Sequence, residues 1–271
     1  MQIINIAGYK FIPLNQLSVL RERLLNHCTV LGCKGTILLS TEGININLAG
    51  MPESIVAIKD YLREDERFAD LTYRESFSRQ QPFNFMKVKI KKEIITMGVD
   101  EVKPTEQRAP NITPAQLKNW LDEQRDFTLL DTRNGYEVRF GTFNNAVHGN
   151  LSDFGEFPEY VATLPKEKPV VMFCTGGIRC EKAALHLLNA GFPEVLQLEG
   201  GILNYFAEVG GEHYDGECFV FDQRIAVNAN LAETGTAQCL VCQGPVTVKE
   251  QKLASYEATV SCPVCATNTV N

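Results

Sequence analysis

Along residues 1–96 the apolar positions switch repeatedly between a period near two and a period near 3.6. Ile3–Phe11 reads as a strand, Leu14–Leu31 as a helix, and Gly35–Leu39 with Gly43–Leu48 as a pair of apolar strands. Pro52–Arg63 is helical, and two further strands are predicted near Leu71–Phe77 and Phe85–Ile95. Met97 to Asn111, with Pro104 and Pro110, loses periodicity and reads as a linker. Beyond it Thr113-Pro114 is a helix start before Ala115–Gln124, followed by a strand over Phe127–Arg133. Pro169–Phe173 is an apolar strand feeding a helix over Ile178–Ala190, whose apolar face carries Ala183, Ala184, Leu187 and Leu188 and whose stop is Gly191. Val195–Leu198 reads as a last strand, with Glu199-Gly200-Gly201 as its turn.

These elements predict an α/β protein in three parts. The β-α-β-β-α-β order of residues 1–96 is the ferredoxin-like or acylphosphatase-like α+β plan. Residues 97–112 are the linker, 113–216 a parallel α/β unit, and 217–271 a small cysteine-bearing tail. A chain of 271 residues, 44% hydrophobic, suffices for two ordinary cores and an appendage. No apolar run approaches the roughly 20 residues of a membrane span, and the start Met1-Gln2-Ile3-Ile4-Asn5 has no basic n-region, so neither a membrane nor secretion is expected. Nine cysteines, an odd number, argue for a reducing compartment, here the cytoplasm, over a disulfide framework. With a net charge of −7, any nucleic-acid contact must come from a local basic surface.

The chemistry concentrates at Cys174-Thr175-Gly176-Gly177-Ile178-Arg179-Cys180. A cysteine between a strand end and a helix N-terminus sits among unpaired backbone N–H groups and the positive end of the helix dipole, both of which favour thiolate. Gly176 and Gly177 let the amides turn inward, making a small anion cradle. Cys174 is therefore the expected nucleophile, with Arg179 completing the loop, adding positive potential and occupying the mouth. Cys180 is expected to pack beneath the loop as a helix residue, a resolving thiol being the alternative. Four residues separate Cys174 from Arg179, one fewer than in cysteine-dependent phosphatases, so the cradle suits something smaller than phosphate. This segment resembles the active loop of rhodanese domains, in which the equivalent cysteine becomes a persulfide. Asp131-x-Arg133 followed by Glu137 is similar to the Asp-x-Arg…Glu signature of those domains, which implies residues bracing the strand ends. Gly141-Thr142-Phe143 stands where many of them have Gly-His-Ile.

In the tail, Cys239-x2-Cys242 and Cys262-x2-Cys265 lie nineteen residues apart, the spacing of a zinc ribbon. Four thiolates would close the coordination shell, so the zinc is expected to be structural. Basic residues gather near the end of the first domain. Lys87, Lys89 and Lys91 alternate with Val88 and Ile90, placing the lysines on one strand face and the aliphatics toward the core. With Arg74, Arg79 and interleaved aromatics they read equally as an RNA-binding platform and as a solvated sheet face. Ser40–Asn45 reads as the hairpin between two core strands, or else as a polar turn projecting toward the cysteine.

The order of the parts is more diagnostic than any of them. Lys34–Asn45 within the first domain, the Cys174–Cys180 loop and the Cys-x2-Cys tail together closely resemble the rhodanese-related tRNA uridine hydroxylases over essentially the whole length. The resemblance implies oxygen-dependent conversion of the anticodon wobble uridine, tRNA uridine 34, to 5-hydroxyuridine, with tRNA as partner and molecular oxygen as co-substrate. No flavin, haem or nicotinamide motif and no obligate protein partner is evident in the sequence. A rhodanese-type sulfurtransferase or sulfur carrier, working through a Cys174 persulfide, is the alternative.

Overall fold

The computed structural model describes residues 2–268; Met1 and residues 269–271, at the ends of the first and last predicted parts, lie outside the described residues. The first unit comprises β1 (Ile3–Phe11), α1 (Leu17–Val30), β2 (Lys34–Ser40), β3 (Gly43–Gly50), α2 (Pro52–Arg63), β4 (Arg74–Ser78) and β5 (Met86–Ile90). Its sheet runs β4-β1-β3-β2-β5, with β5 parallel to β2 and the other pairs antiparallel. The pleat sorts the side chains. Ile6, Ile37, Leu39, Ile44, Ile46, Leu48 and Val88 point to α1 and α2 and pack against Leu20, Leu24, Ile55, Ile58 and Leu62. Burying each such side chain contributes about 1.5–3 kcal/mol. The opposite face, free of helices, is polar: Asn5 and Tyr9 of β1, Thr36 of β2, Asn45 and Asn47 of β3, Arg74 and Ser76 of β4.

Three local expectations shift. The first helix begins at Leu17 instead of Leu14, because Gln16 sits in the left-handed region at φ 49° and Leu14 turns into the core as a loop residue. The fifth strand ends at Ile90 instead of Ile95, since the Glu93 carboxylate takes the N–H groups of Met97 and Gly98 and folds the chain over. Ile90 itself is 41% exposed, so only Val88 of the two predicted aliphatics faces the core.

The second unit contains β6 (Asn111–Ile112), α3 (Pro114–Asp122), β7 (Thr128–Asp131), α4 (Gly135–Val138), β8 (Gly141–Phe143), β9 (Val147–His148), α5 (Phe157–Val161), β10 (Val170–Phe173), α6 (Ile178–Asn189), β11 (Val195–Leu198) and α7 (Gly201–Glu208). Its sheet is wholly parallel in the order β6-β11-β10-β7-β9. The β10 segment is central and buried at every position, as a strand covered on both faces must be. Thr113 caps α3 with a complete capping box through Gln116. What reads in the sequence as a turn at Gly200-Gly201 opens α7, with Gly200 and Gly201 both in the left-handed region. The segment between the units is packed, with Met97, Val102 and Ala109 buried in the core beneath α5 and α6.

Past Gly216 the chain first packs into the core of the second unit. After β12 (Tyr214–Gly216), which pairs with β8, the hairpin β13 (Cys218–Phe219) and β14 (Ala226–Val227) buries Cys218, Val220 and Val227 in its core. A last hairpin, β15 (Ala237–Gln238) with β16 (Pro245–Val246), carries the cysteine cluster. Among the described residues no helix is long and apolar enough to cross a membrane.

Candidate active site

Cys174 emerges at the carboxyl end of β10, where open parallel sheets place their ligands. Gly177, at φ 97°, is the N-cap of α6, a conformation that favours glycine. The Cys174 and Thr175 carbonyls accept from the N–H groups of Ile202 and Leu203, so α7 pulls the loop's oxygens to one side and leaves its amides facing the sulfur. Gly201 is required here, because a Cβ would strike the Cys174 and Thr175 carbonyls. The Gly177 N–H donates to Cys174 Sγ at 3.1 Å. Burial opposes ionisation of this thiol, but the Cys180 thiol, the Arg179 guanidinium and the Arg179 and Gly177 amides outweigh it and lower its pKa to about 5. Burial, and next the neighbouring Cys174, push the Cys180 thiol well above its ordinary value, so Cys174 is the thiolate of the pair and Cys180 the thiol.

Four buried carboxylate and guanidinium groups, in two pairs, hold the loop in shape. Glu137 takes Arg179 at two points, 2.6 and 2.8 Å, and also accepts from the Thr175 hydroxyl at 3.4 Å. Arg179 therefore does not occupy the mouth, as its sequence position suggests. It is turned inward at 5% exposure, and its side chain acts on the sulfur through its charge. Asp131 receives Arg133 and the Thr142 hydroxyl, which gives Thr142 of the unusual Gly-Thr-Phe a bracing task. Cys180 is fully buried beside the Thr132 hydroxyl, beneath the loop.

The polar face of the first sheet forms the opposite wall. Between it and the loop lies a cavity of about 1170 Å³ that contains Cys174, Thr175, Gly176, Gly177 and Ile178 in its lining. Tyr9 descends from β1 and donates to Glu181 at 3.1 Å, while Gln197 donates to the other carboxylate oxygen at 3.3 Å. Lys182, 3% exposed, bridges the units through Glu42 at 2.8 Å and Glu93 at 2.6 Å. Glu42 is in the β2–β3 turn, so the Ser40–Asn45 segment is a hairpin that also reaches α6. None of Tyr9, Glu42, Glu181 or Lys182 was singled out from the sequence. Their pairings across the two units join positions 89 or more residues apart and carry no local signal.

The basic residues do not form one patch. The sheet order puts Arg74, with Arg79 just past its strand, at one edge and the lysines at the other. Lys87 and Lys89 pair with Thr36 and Leu38 and so share the cleft-facing side, whereas Lys91 lies just past the strand end. Arg79 is 94% exposed, 3.9 Å from Glu233.

The four tail cysteines converge, their sulfurs all within 4.8 Å of one another. Cys239 to Cys265 is 3.9 Å and Cys242 to Cys262 is 3.8 Å. A tetrahedron with metal–sulfur bonds of about 2.3 Å has edges of roughly 3.8 Å, so the donor set fits a tetrahedral thiophilic ion. Arg139 of the second unit donates to the Cys242 carbonyl and docks the knuckle.

A parallel α/β unit with a depressed-pKa cysteine at its central strand end, braced by Asp-Arg and Glu-Arg pairs, defines a rhodanese-type domain, here roofed by an acylphosphatase-like sheet. Residues 113–208 match the rhodanese-like domain family and residues 3–94 the UPF0176 acylphosphatase like domain. The tRNA uridine(34) hydroxylase of Cupriavidus necator is 51% identical, with 98% of this chain and 97% of that protein covered. That of Ralstonia nicotianae is 52% identical over the same shares. A rhodanese-related protein from Thermoplasma volcanium superposes with a TM-score of 0.33 at 26% identity, over 37% of this chain and 93% of that one. The chain belongs to the tRNA uridine(34) hydroxylase family.

Proposed function

We propose that this protein hydroxylates the wobble uridine of tRNA to 5-hydroxyuridine, acting on the anticodon region in the cytoplasm with molecular oxygen as co-substrate. Family membership supports the reaction, and the observation that carries it into this chain is the cleft. At about 1170 Å³ it exceeds the roughly 300–1,000 Å³ of ordinary small-molecule sites, which suits a nucleotide drawn out of its stack with part of its strand. Cys174 is the nucleophile. Its thiolate adds to C6 of the uracil ring, and the electron-rich C5 takes one oxygen atom of O2; the O–O bond breaks and the second atom leaves as water, with two electrons and two protons from an external two-electron donor. Later loss of the C5 proton and of the thiolate restores the ring and the cysteine. Thr175, Gly176, Gly177 and Ile178 shape the cradle, while Arg179 and Cys180 lower the thiol pKa from below. Lys87, Lys89 and Lys91, with Arg74 and Arg79, supply positive charge for the RNA backbone. Zinc on Cys239, Cys242, Cys262 and Cys265 is structural, because four protein thiolates leave no open position.

The test is nucleoside mass spectrometry of tRNA incubated aerobically with the purified protein. Formation of 5-hydroxyuridine by the parent and its loss in Cys174→Ser is the expected result. Transfer of sulfur from thiosulfate through Cys174, with no change in the tRNA, would replace this reading with the sulfurtransferase one.

A further inference from the structure

Four arginines line the cleft, and their charges are handled differently. Arg179 is neutralised by Glu137 and Arg224 by Asp222, each at 2.6 Å, while Arg108 is exposed at the rim. Arg74 follows neither pattern. It is half-buried, its Nε is fully shielded from solvent, and that atom has no hydrogen-bond partner among the described residues. Of the acidic groups that line the cleft, Asp70 is engaged by Lys10, Glu75 by Lys59, Glu181 by Tyr9, Asp222 by Arg224 and Asp153 by the Gly155 amide, while Glu199, next to Gly200, is exposed and forms no ion pair with Arg74. A guanidinium kept partly dry without a counter-charge is unfavourable unless a ligand completes it.

Its place is specific. The guanidinium lies over Gly200, where any Cβ would overlap it, and Gly201 on the next position touches the Cys174 loop. An anion on Arg74 thus sits one glycine layer from the thiolate's cradle, beside it and not in it. Arg74 also ends a cross-strand row on the polar face, Arg74–Ala7–Asn47–Thr36–Lys87. Four strand spacings separate the two cations by roughly 19 Å, a span matched to a polyanionic strand and far beyond a small ion.

We propose that Arg74 clamps a single phosphodiester group flanking the nucleotide whose base enters the cleft. This rests on the RNA reading above and names a positioning residue within it. The planar fork holds one phosphate at two points and so fixes where the base can reach, whereas Lys87 at the far end contacts the backbone as a point charge.

The experiment uses the full chain and a short RNA hairpin carrying the anticodon loop, with a neutral methylphosphonate placed at one linkage at a time around the wobble uridine. Binding to the parent, R74Q, R74K and K87Q is followed by fluorescence anisotropy. One substitution is expected to weaken the parent about tenfold, R74Q to bind unmodified RNA about tenfold more weakly and to ignore that same substitution, and K87Q to remain sensitive to it. R74K should keep the charge and part of the sensitivity, and serves if R74Q does not fold. R74Q as sensitive as the parent at every linkage would overturn the assignment. So would a changed rate of Cys174 alkylation in the variants, which would make Arg74 part of the loop's scaffold, or protection of Cys174 by inorganic phosphate that depends on Arg74. Because the readout is binding, absence of 5-hydroxyuridine would sink the hydroxylase reading and leave this contact standing.

Discussion

Tyr9 donates its hydroxyl to the Glu181 carboxylate at 3.1 Å across the boundary between the two units, 172 residues away in sequence. Glu181 lies in the first turn of the helix that Gly177 starts, so this phenol ties the acylphosphatase-like sheet to the helix that follows the cysteine loop. Burial, with Glu181 next in weight, raises the Tyr9 pKa well above its ordinary value, so it stays a neutral donor throughout the working range.

Tyr9→Phe should lower stability by about 1 kcal/mol, the net worth of one hydrogen bond with an ionised acceptor left half-satisfied by Gln197. Urea denaturation reads this directly. An unmoved midpoint would mean the phenol contributes packing alone.

The Cys174 thiol should alkylate with a pH midpoint near 5, against roughly 8.5 for a free cysteine. Because the folded pKa is the lower one, ionisation adds stability that is complete above the unfolded value and is lost as pH falls through the folded value. Relative to Cys174→Ser, the parent should therefore gain stability between about pH 5 and 9, as read by thermal denaturation across that range. A midpoint at 8 or above in the alkylation profile would remove the loop's claim to activate its sulfur.

Lys182→Met strands the Glu42 and Glu93 carboxylates, and should destabilise the protein by about 3 kcal/mol. Burial opposes ionisation of Glu93, yet Lys182 and the Met97 and Gly98 amides hold its carboxyl below the usual carboxylate range. That contribution is present above the ordinary carboxylate pKa and is lost as pH falls through the lowered one, so the variant's stability should fall less steeply under acid. Parallel acid limbs for parent and variant would show that Lys182 does not set the Glu93 ionisation.

Purified protein should carry about one zinc per chain, released by Cys262→Ala or by chelation. Limited proteolysis should then cut beyond Ala237, while Cys174 alkylates at an unchanged rate. Metal-free protein from an anaerobic preparation, with the tail still resistant, would exclude a structural ion.

Replacing Lys87, Lys89 and Lys91 with Gln should weaken tRNA binding and flatten its dependence on log salt by roughly 0.7–0.9 per lost phosphate contact. Only Lys87 and Lys89 share the cleft-facing side within the strand, so the flattening should approach two contacts sooner than three. An unchanged slope would move the RNA path off this edge.

What could be read from the sequence was whatever is local. The Cys174 loop, the helix from Ile178 and the two Cys-x2-Cys knuckles occupy short contiguous stretches whose residue types dictate backbone shape. Periodicity placed the Pro52–Arg63 helix to the residue. It failed at Ile90, where alternation continues but the neighbour that would cover the side chain is absent, and at Gly200-Gly201, where a turn signal also serves as a helix start. The roles of Tyr9 and Lys182, and the place of Arg74 beside the cysteine loop, were illegible for another reason. Tyr9 reads as one more strand aromatic, Lys182 as a helix-face charge, and Arg74 as one of five cations of an RNA-binding platform, until the second unit is laid against the first.

The segment that follows Gly216 has a mechanical meaning. It crosses back to the first sheet, where Arg224 donates to Ser76 at 2.7 Å and Gln223 binds Pro82 and Asn84. Lys182 grips the other end of the same sheet, at the β2–β3 turn. The two attachments stand at opposite ends of strands whose pairing spans seven residue steps, roughly 24 Å. Walls fastened at both ends make a slot of fixed gauge, not a jaw. Under the proposed function, selection would then fall on the RNA: a strand able to swing a base out of its stack could present it to the sulfur, and the nucleic acid would bear the cost of that distortion.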